Sequence, residues 1–500
     1  MSLLDKRANG VLMSISSLPG NTGIGTMGKN AFAFIDFLKN TLQTYWQILP
    51  IGPTSYGDSP YQSFSTFAGN PYFIDLELLA QEGFLSKSDY ESVKWTYNEN
   101  YVDYGLLYIE RNKIFAKLQA NFEKNIPADF ESFCSANSFW LEDYSLFMSI
   151  KDAHNGISFS DWEEDIIRRR PEALKAWTEK CQKRIFYYKM LQYLFYKQYY
   201  SLKKYANDNG IKIIGDIPIY VAADSADVWS SPEQFMLDEN FKPIDVAGCP
   251  PDAFSADGQL WGNPVYNWEY MKKDNYSWWK KRLEVSLKNY DVVRIDHFRG
   301  FDSFYCIPFG SKNAQNGVWR QGPGADLFNE IKKAFGGQDL SIIAEDLGFL
   351  TDSVRQMLKD VGFPGMRVLQ FGFDSRDPAT EYLPMCYVNN CVVYTGTHDN
   401  NTIKGWSGEV SKEDLNFCLD FLRTDIDNLP KTMMLAAMES VANTCILTMQ
   451  DLIGCGSEAR MNEPSTVGKN WKWRMTDVQW NSDISEFLRK YTVLYQRARS

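Results

Sequence analysis

Eight short apolar runs recur along this 500-residue chain, at 10–17, 45–51, 211–218, 292–296, 341–345, 366–371, 391–395 and 445–449. Most are hydrophobic at consecutive rather than alternate positions and end at Gly or polar residues, the pattern of strands buried on both faces of a parallel sheet. Helical periodicity separates most of them, at 31–40, 184–207, 276–288, 326–335, 351–361 and 412–422. Parallel neighbours need a crossover between them, and eight strand–helix units are what a closed (β/α)8 TIM-type barrel requires. Barrels with insertions reach this length, so one catalytic barrel is expected over 1–500.

Two stretches break the rhythm. About 160 residues separate the second and third strands, where a crossover needs only a few tens. Helical spacing at 106–122, 127–137 and 138–153 predicts a mainly helical insertion over 86–183. After the third strand, 224–268 is dense in Gly, Pro and Asp and reads as a long, loop-rich insertion bordering the barrel mouth. Ordering such a loop costs conformational entropy, so a functional role is expected for it.

Net charge is −11 with no basic block, which excludes the electrostatic footprint of nucleic-acid or anionic-membrane binding and leaves a neutral partner as the expectation. Aromatic residues reach 15%, and their faces pack on sugar rings as readily as they fill cores. Nine scattered cysteines without a CxxC pair argue against disulfides, and the N-terminus lacks an apolar signal region. No run approaches the roughly 20 apolar residues of a transmembrane helix, so a cytoplasmic enzyme is expected.

Three of the apolar runs lead into acids: Arg294-Ile295-Asp296-His297, Ala344-Glu345-Asp346 and, slightly further on, Thr397-His398-Asp399. In a βα barrel these sit at the C-terminal mouth, where catalytic groups converge. Residues two apart on a strand share a face, so Arg294 and Asp296 point the same way. A guanidinium beside Asp296 favours its ionised form and predicts a lowered pKa, suited to a nucleophile. Glu345 has no cation within two residues and ends an apolar strand, which predicts a raised pKa, suited to a proton donor. Acids pushed apart in this way form the working pair of a retaining glycosidase.

The order Asp296, Glu345, Asp399 resembles the catalytic signature of the α-amylase superfamily. Four further segments are similar to those of the amylomaltases, 4-α-glucanotransferases also called disproportionating enzymes: 55–72, Gly215-Asp216-Ile217-Pro218, 250–254 (Pro-Pro-Asp-Ala-Phe) and 259–264 (Gln-Leu-Trp-Gly-Asn-Pro). The resemblance runs from about residue 10 to the C-terminus. It implies Asp296 as nucleophile, Glu345 as acid/base and Asp399 as the group that binds sugar hydroxyls and stabilises the transition state. It further implies Arg294, His297, His398, Asp216, Tyr61, Ser59, Asp252, Gln259, Trp261, Asp374 and Asn462 as substrate-binding residues, with the 250–254 loop holding the glucan. The third strand carries Gly-Asp-Ile-Pro where amylases typically have Asn-His, and the chain ends soon after the eighth unit, with no room for a C-terminal β-sandwich domain.

The implied activity is transfer of α-1,4-glucan segments between maltooligosaccharides or starch and glycogen chains, through a covalent glycosyl-enzyme on Asp296. Its alternative is an α-glucan hydrolase of the same superfamily. A glucan-binding regulator on a dead barrel would need a broken triad, and all three acids are present. No cofactor is implied, and His297 and His398 read as hydrogen-bonding groups rather than metal ligands.

Overall fold

In a computed structural model, residues 3–498 are described except 56, 252–256, 349 and 377–379. Twelve strands occur among the described residues. They are β1 (Ala8–Leu12), β2 (Tyr45–Gln47), β3 (Lys212–Ile217), β4 (Asp245–Cys249), β5 (Gln259–Pro264), β6 (Val292–Ile295), β7 (Ser303–Pro308), β8 (Val318–Gln321), β9 (Ile342–Ala344), β10 (Gly365–Val368), β11 (Cys391–Tyr394) and β12 (Thr444–Thr448). Eight close into a parallel barrel in the order β1-β12-β11-β10-β9-β6-β3-β2. All eight overlap the apolar runs of the sequence.

Period-two alternation fills the barrel interior. Tyr45, Ile214, Val292, Ile343, Met366, Val392, Tyr394 and Ile446 form one buried cluster inside it. Gly10 lets the wall close, because a Cβ there would lie 2.5 Å from the Tyr45 Cβ. One step towards the mouth the filling turns polar: Asp216 stands opposite Arg294 in the β3–β6 register, and Tyr394 Oη donates to Gln47 Oε1 at 2.9 Å. At the other end, the buried Arg497 guanidinium donates to the carbonyls of Ala8, Met438, Ser440, Ala442 and Asn443.

Between β2 and β3 lie helices that include Tyr104–Phe122, Phe130–Ala136, Ser138–Ala153 and Pro171–Lys180, followed by the long Gln182–Asp208. Edge-to-face aromatics bind them together, Phe122, Phe130, Phe186 and Tyr193 among them. Buried Lys151 pairs with Asp224, just beyond β3, and so ties this layer to the barrel mouth.

The 224–268 stretch departs from expectation. It holds β4 and β5, which join β7 and β8 in an antiparallel sheet ordered β5-β4-β7-β8. Gly248 and Gly262 stand inside the two strands, so their Gly content reads as loop. The partners β7 and β8 come from beyond the fourth barrel strand, so no local pattern announces the pairing.

Candidate active site

The first two acids leave neighbouring strands. Ile295 and Ala344 are register partners, and Asp296 and Glu345 each follow directly. The backbone continues the match, with Glu345 N–H donating to Ile295 O and Phe298 N–H to Glu345 O. At His297 the chain turns through a left-handed φ of 52°, a strained conformation for a non-glycine residue at a strand exit. That turn aims the His297 amide at Glu345 Oε2, 2.6 Å away, while Leu347 N–H donates to Oε1 at 2.7 Å.

Below them lies a compact ion network. Arg294 Nη1 donates to both oxygens of Asp216, at 2.8 and 2.7 Å, and Nη2 forms an ion pair with Asp296 Oδ1 at 2.9 Å. Arg294 and Asp216 are almost fully buried, whereas 31% of the Asp296 side chain remains open to the mouth. Tyr61 Oη donates to Asp216 Oδ2 at 2.9 Å and lies 2.9 Å from His398 Nε2; with its proton on Asp216, the phenol oxygen accepts from the imidazole.

Asp399 faces this group from beyond β11. Asn462 Nδ2 donates to Asp399 Oδ1 at 2.6 Å, and His398 Nε2 stands 3.3 Å from Oδ2. The segment after β12 is fastened alongside, by Asn462 N–H on His398 O and Arg460 Nη2 on Asp399 O.

Burial pushes the Glu345 carboxyl up to about 8, helped by the negative charge of Asp296 and opposed by Arg294 and the two amides. Asp296 is also raised from the ordinary aspartate range, by burial first, with Arg294 opposing. This corrects the expectation of a lowered Asp296. Arg294 shares its charge with Asp216, and the barrel mouth strips water from Asp296. The Arg294 guanidinium beside Asp296 stabilises its carboxylate, which favours the proton of the pair on Glu345. Burial, then Arg299, holds His297 down to about 3, so its imidazole is neutral.

Trp261 meets His297 edge to face at 4.8 Å between ring centroids, and its Nε1 donates to Gln259 Oε1 at 3.0 Å. Ser59 Oγ accepts from the Tyr61 amide at 3.2 Å and shapes the loop that delivers Tyr61. Asp374 follows β10 with its carboxylate bound by Arg376, at 2.7 Å for the closest contact, which holds it down to about 2. None of its described hydrogen bonds reaches the three acids. Asp252 and Phe254 lie outside the described residues. Asp346, next to Glu345, is structural: it accepts from Met366 N–H and pairs with Arg367.

Sequence reasoning missed Trp471, whose ring lies 5.6 Å from Tyr61 and 5.8 Å from His398. It also missed Gln62, which bridges Trp261 O and Asn263. The aromatic pair Trp471 and Trp473, shortly after Asn462, was the available signal for the first.

A family model described as 4-alpha-glucanotransferase matches residues 13–479. The chain is 48% identical to a 4-alpha-glucanotransferase of Clostridium butyricum, over 97% of this chain and 100% of the relative. It is 47% identical to a 4-alpha-glucanotransferase of Streptococcus pneumoniae, over 99% and 98%. The amylomaltase from Streptococcus agalactiae in complex with acarbose superposes with a TM-score of 0.96 at 43% identity, covering 99% of this chain and 100% of that one.

Proposed function

The chain belongs to the 4-alpha-glucanotransferase family and is a glucan-transferring enzyme, and from that premise we propose how its three carboxylates divide the work. Asp296 is the nucleophile. Its Oδ1 is held by Arg294, which leaves Oδ2 to attack the anomeric carbon. Protonated Glu345 gives its proton to the glycosidic oxygen as the carbon–oxygen bond breaks, so the leaving chain departs as a neutral alcohol and an Asp296 glycosyl ester forms. The Glu345 carboxylate then takes the proton of an acceptor 4-hydroxyl. That oxygen attacks the anomeric carbon, and Asp296 is released.

Asp399, oriented by Asn462 and His398, accepts hydrogen bonds from hydroxyls of the reacting sugar, with Tyr61 at its flank. The substrates are maltooligosaccharides and linear segments of starch or glycogen. The helical layer over 86–183 and the segment 224–268 act as insertions on a single barrel, one above the mouth and one beside it. No helix among the described residues is long and apolar enough to cross a membrane, and we place the enzyme in the cytoplasm.

The observation that carries the assignment is the asymmetry between adjoining acids, one pushed to about 8 and the other held by a guanidinium. An α-maltosyl fluoride tests it, because fluoride leaves without full protonation. Glu345→Gln treated with it accumulates a glycosyl adduct, found by mass spectrometry on a peptide containing Asp296, while Asp296→Asn forms none. An adduct on Glu345 or Asp399 in the parent enzyme would reverse the roles.

A further inference from the structure

Edge strand β8 is exposed along its whole length, yet Trp319 on it is held in place. The strand end is pinned to the segment that leaves Asp296. Gly322 N–H and Gln321 Nε2 both donate to Asp302 O at 2.7 Å, and Gly324 N–H donates to Phe301 O at 2.8 Å. Arg320 adds an ion pair to Asp245 at 2.6 Å. The Trp319 ring rests against Tyr305, 5.2 Å between centroids, and the Arg299 guanidinium covers it at 4.3 Å. It still exposes 44% of its surface.

Arg299 sets the direction. It lies three residues beyond Asp296, in the 298–301 turn that follows His297, whose amide donates to Glu345 Oε2. Among the groups that would grip the reacting sugar, Asp216 stands on β3, the neighbour of β6 on the side away from β9 and Glu345, and Tyr61 donates to it. An acid/base stands next to the oxygen it protonates, so the departing or incoming chain extends on the Glu345 side. Sugar C–H bonds pack on an open aromatic face, and a ring already braced loses little entropy on binding.

We propose that Trp319 is a stacking platform for a glucosyl unit of the leaving or accepting chain, beyond the sugar that contacts Glu345. This inference rests on Glu345 as the acid/base. Acceptors of two or more units reach the platform and glucose does not, so Trp319 makes the enzyme discriminate acceptors by length.

The test uses α-maltosyl fluoride as donor and compares kcat/KM for maltotetraose with that for glucose as acceptor. In Trp319→Ala the maltotetraose-to-glucose ratio falls about fivefold, the size of one lost aromatic contact. Trp319→Tyr restores most of it, and Trp319→Leu, which keeps apolar bulk without a ring face, does not. Should the alanine variant fold poorly, the Leu and Tyr variants read the same ratio. If Trp319 only steadied Arg299, both acceptors would suffer alike; a ratio within about twofold of the parent's in the Ala and Leu variants overturns the platform. The parent is assayed alongside, so absence of transfer to either acceptor in it would count against the reading of the site, not against Trp319.

Discussion

The backbone amide of His297 donates to Glu345 Oε2 at 2.6 Å, so the residue that follows Asp296 in the chain positions the Glu345 carboxyl. Because His297 adopts a left-handed backbone to do this, the geometry of the acid pair is built into the strand exit and not left to side-chain rotamers. Two amide donors stabilise charge on Glu345, yet burial and Asp296 outweigh them. That balance sets the first two predictions.

The kcat/KM profile should have a basic limb near pH 8, where Glu345 loses the proton it must deliver, and an acid limb above the ordinary aspartate range, where Asp296 becomes protonated. With Glu345→Gln and an activated fluoride donor, the basic limb of the glycosylation step should vanish. A limb that persists there belongs to another group.

Stability carries the same signature with a defined sign. Between about 4.5 and about 8, folded Glu345 holds a proton that the unfolded chain has already released. The native state binds more protons in that window, so its stability falls as pH rises. The difference in Tm, Glu345→Gln minus parent, should therefore grow with pH across the window. A difference that stays constant with pH would contradict the raised pKa.

Arg497 has no part in the chemistry but closes the far end of the barrel on five carbonyls. Arg497→Ala takes a donor from each of those buried acceptors, leaving Ser440 O to Arg7 and Asn443 O to the Ala8 amide, and should destabilise the fold by about 3–5 kcal/mol in urea unfolding. Arg497→Lys should recover only part of this, since an ammonium cannot span the set. A loss under about 1 kcal/mol would mean that water or rearrangement satisfies the carbonyls.

Trp261 bears on transfer against hydrolysis. Its ring abuts His297 beside the acid pair, where a bound acceptor would displace water. In Trp261→Ala, total turnover of maltotriose should fall about tenfold while the share of hydrolysis rises. Chromatography would show glucose and maltose gaining on the ladder of longer oligosaccharides. An unchanged product ratio would make Trp261 a general binding residue.

The eight barrel strands were legible because burial on both faces writes itself into consecutive apolar residues. The inward aim of Arg294 and Asp296 followed from strand period alone. The charge state of Asp296 was not legible. Its nearest cation is two residues away in the chain, but the competitor for that cation, Asp216, lies 78 residues from Arg294 and meets it only through the β3–β6 register.

The same divide runs through the rest of the molecule. Sequence by itself determined the eight barrel strands and put Asp296 and Glu345 directly after two of them, because both depend on short-range periodicity. Tertiary structure alone decided that 224–268 supplies two strands of a second sheet, that Asn462 donates to Asp399, and that Trp319 stands beside Arg299. Pairing register, desolvation and the sharing of one guanidinium between two carboxylates depend on which distant segments the closed barrel brings together, and no local pattern encodes them.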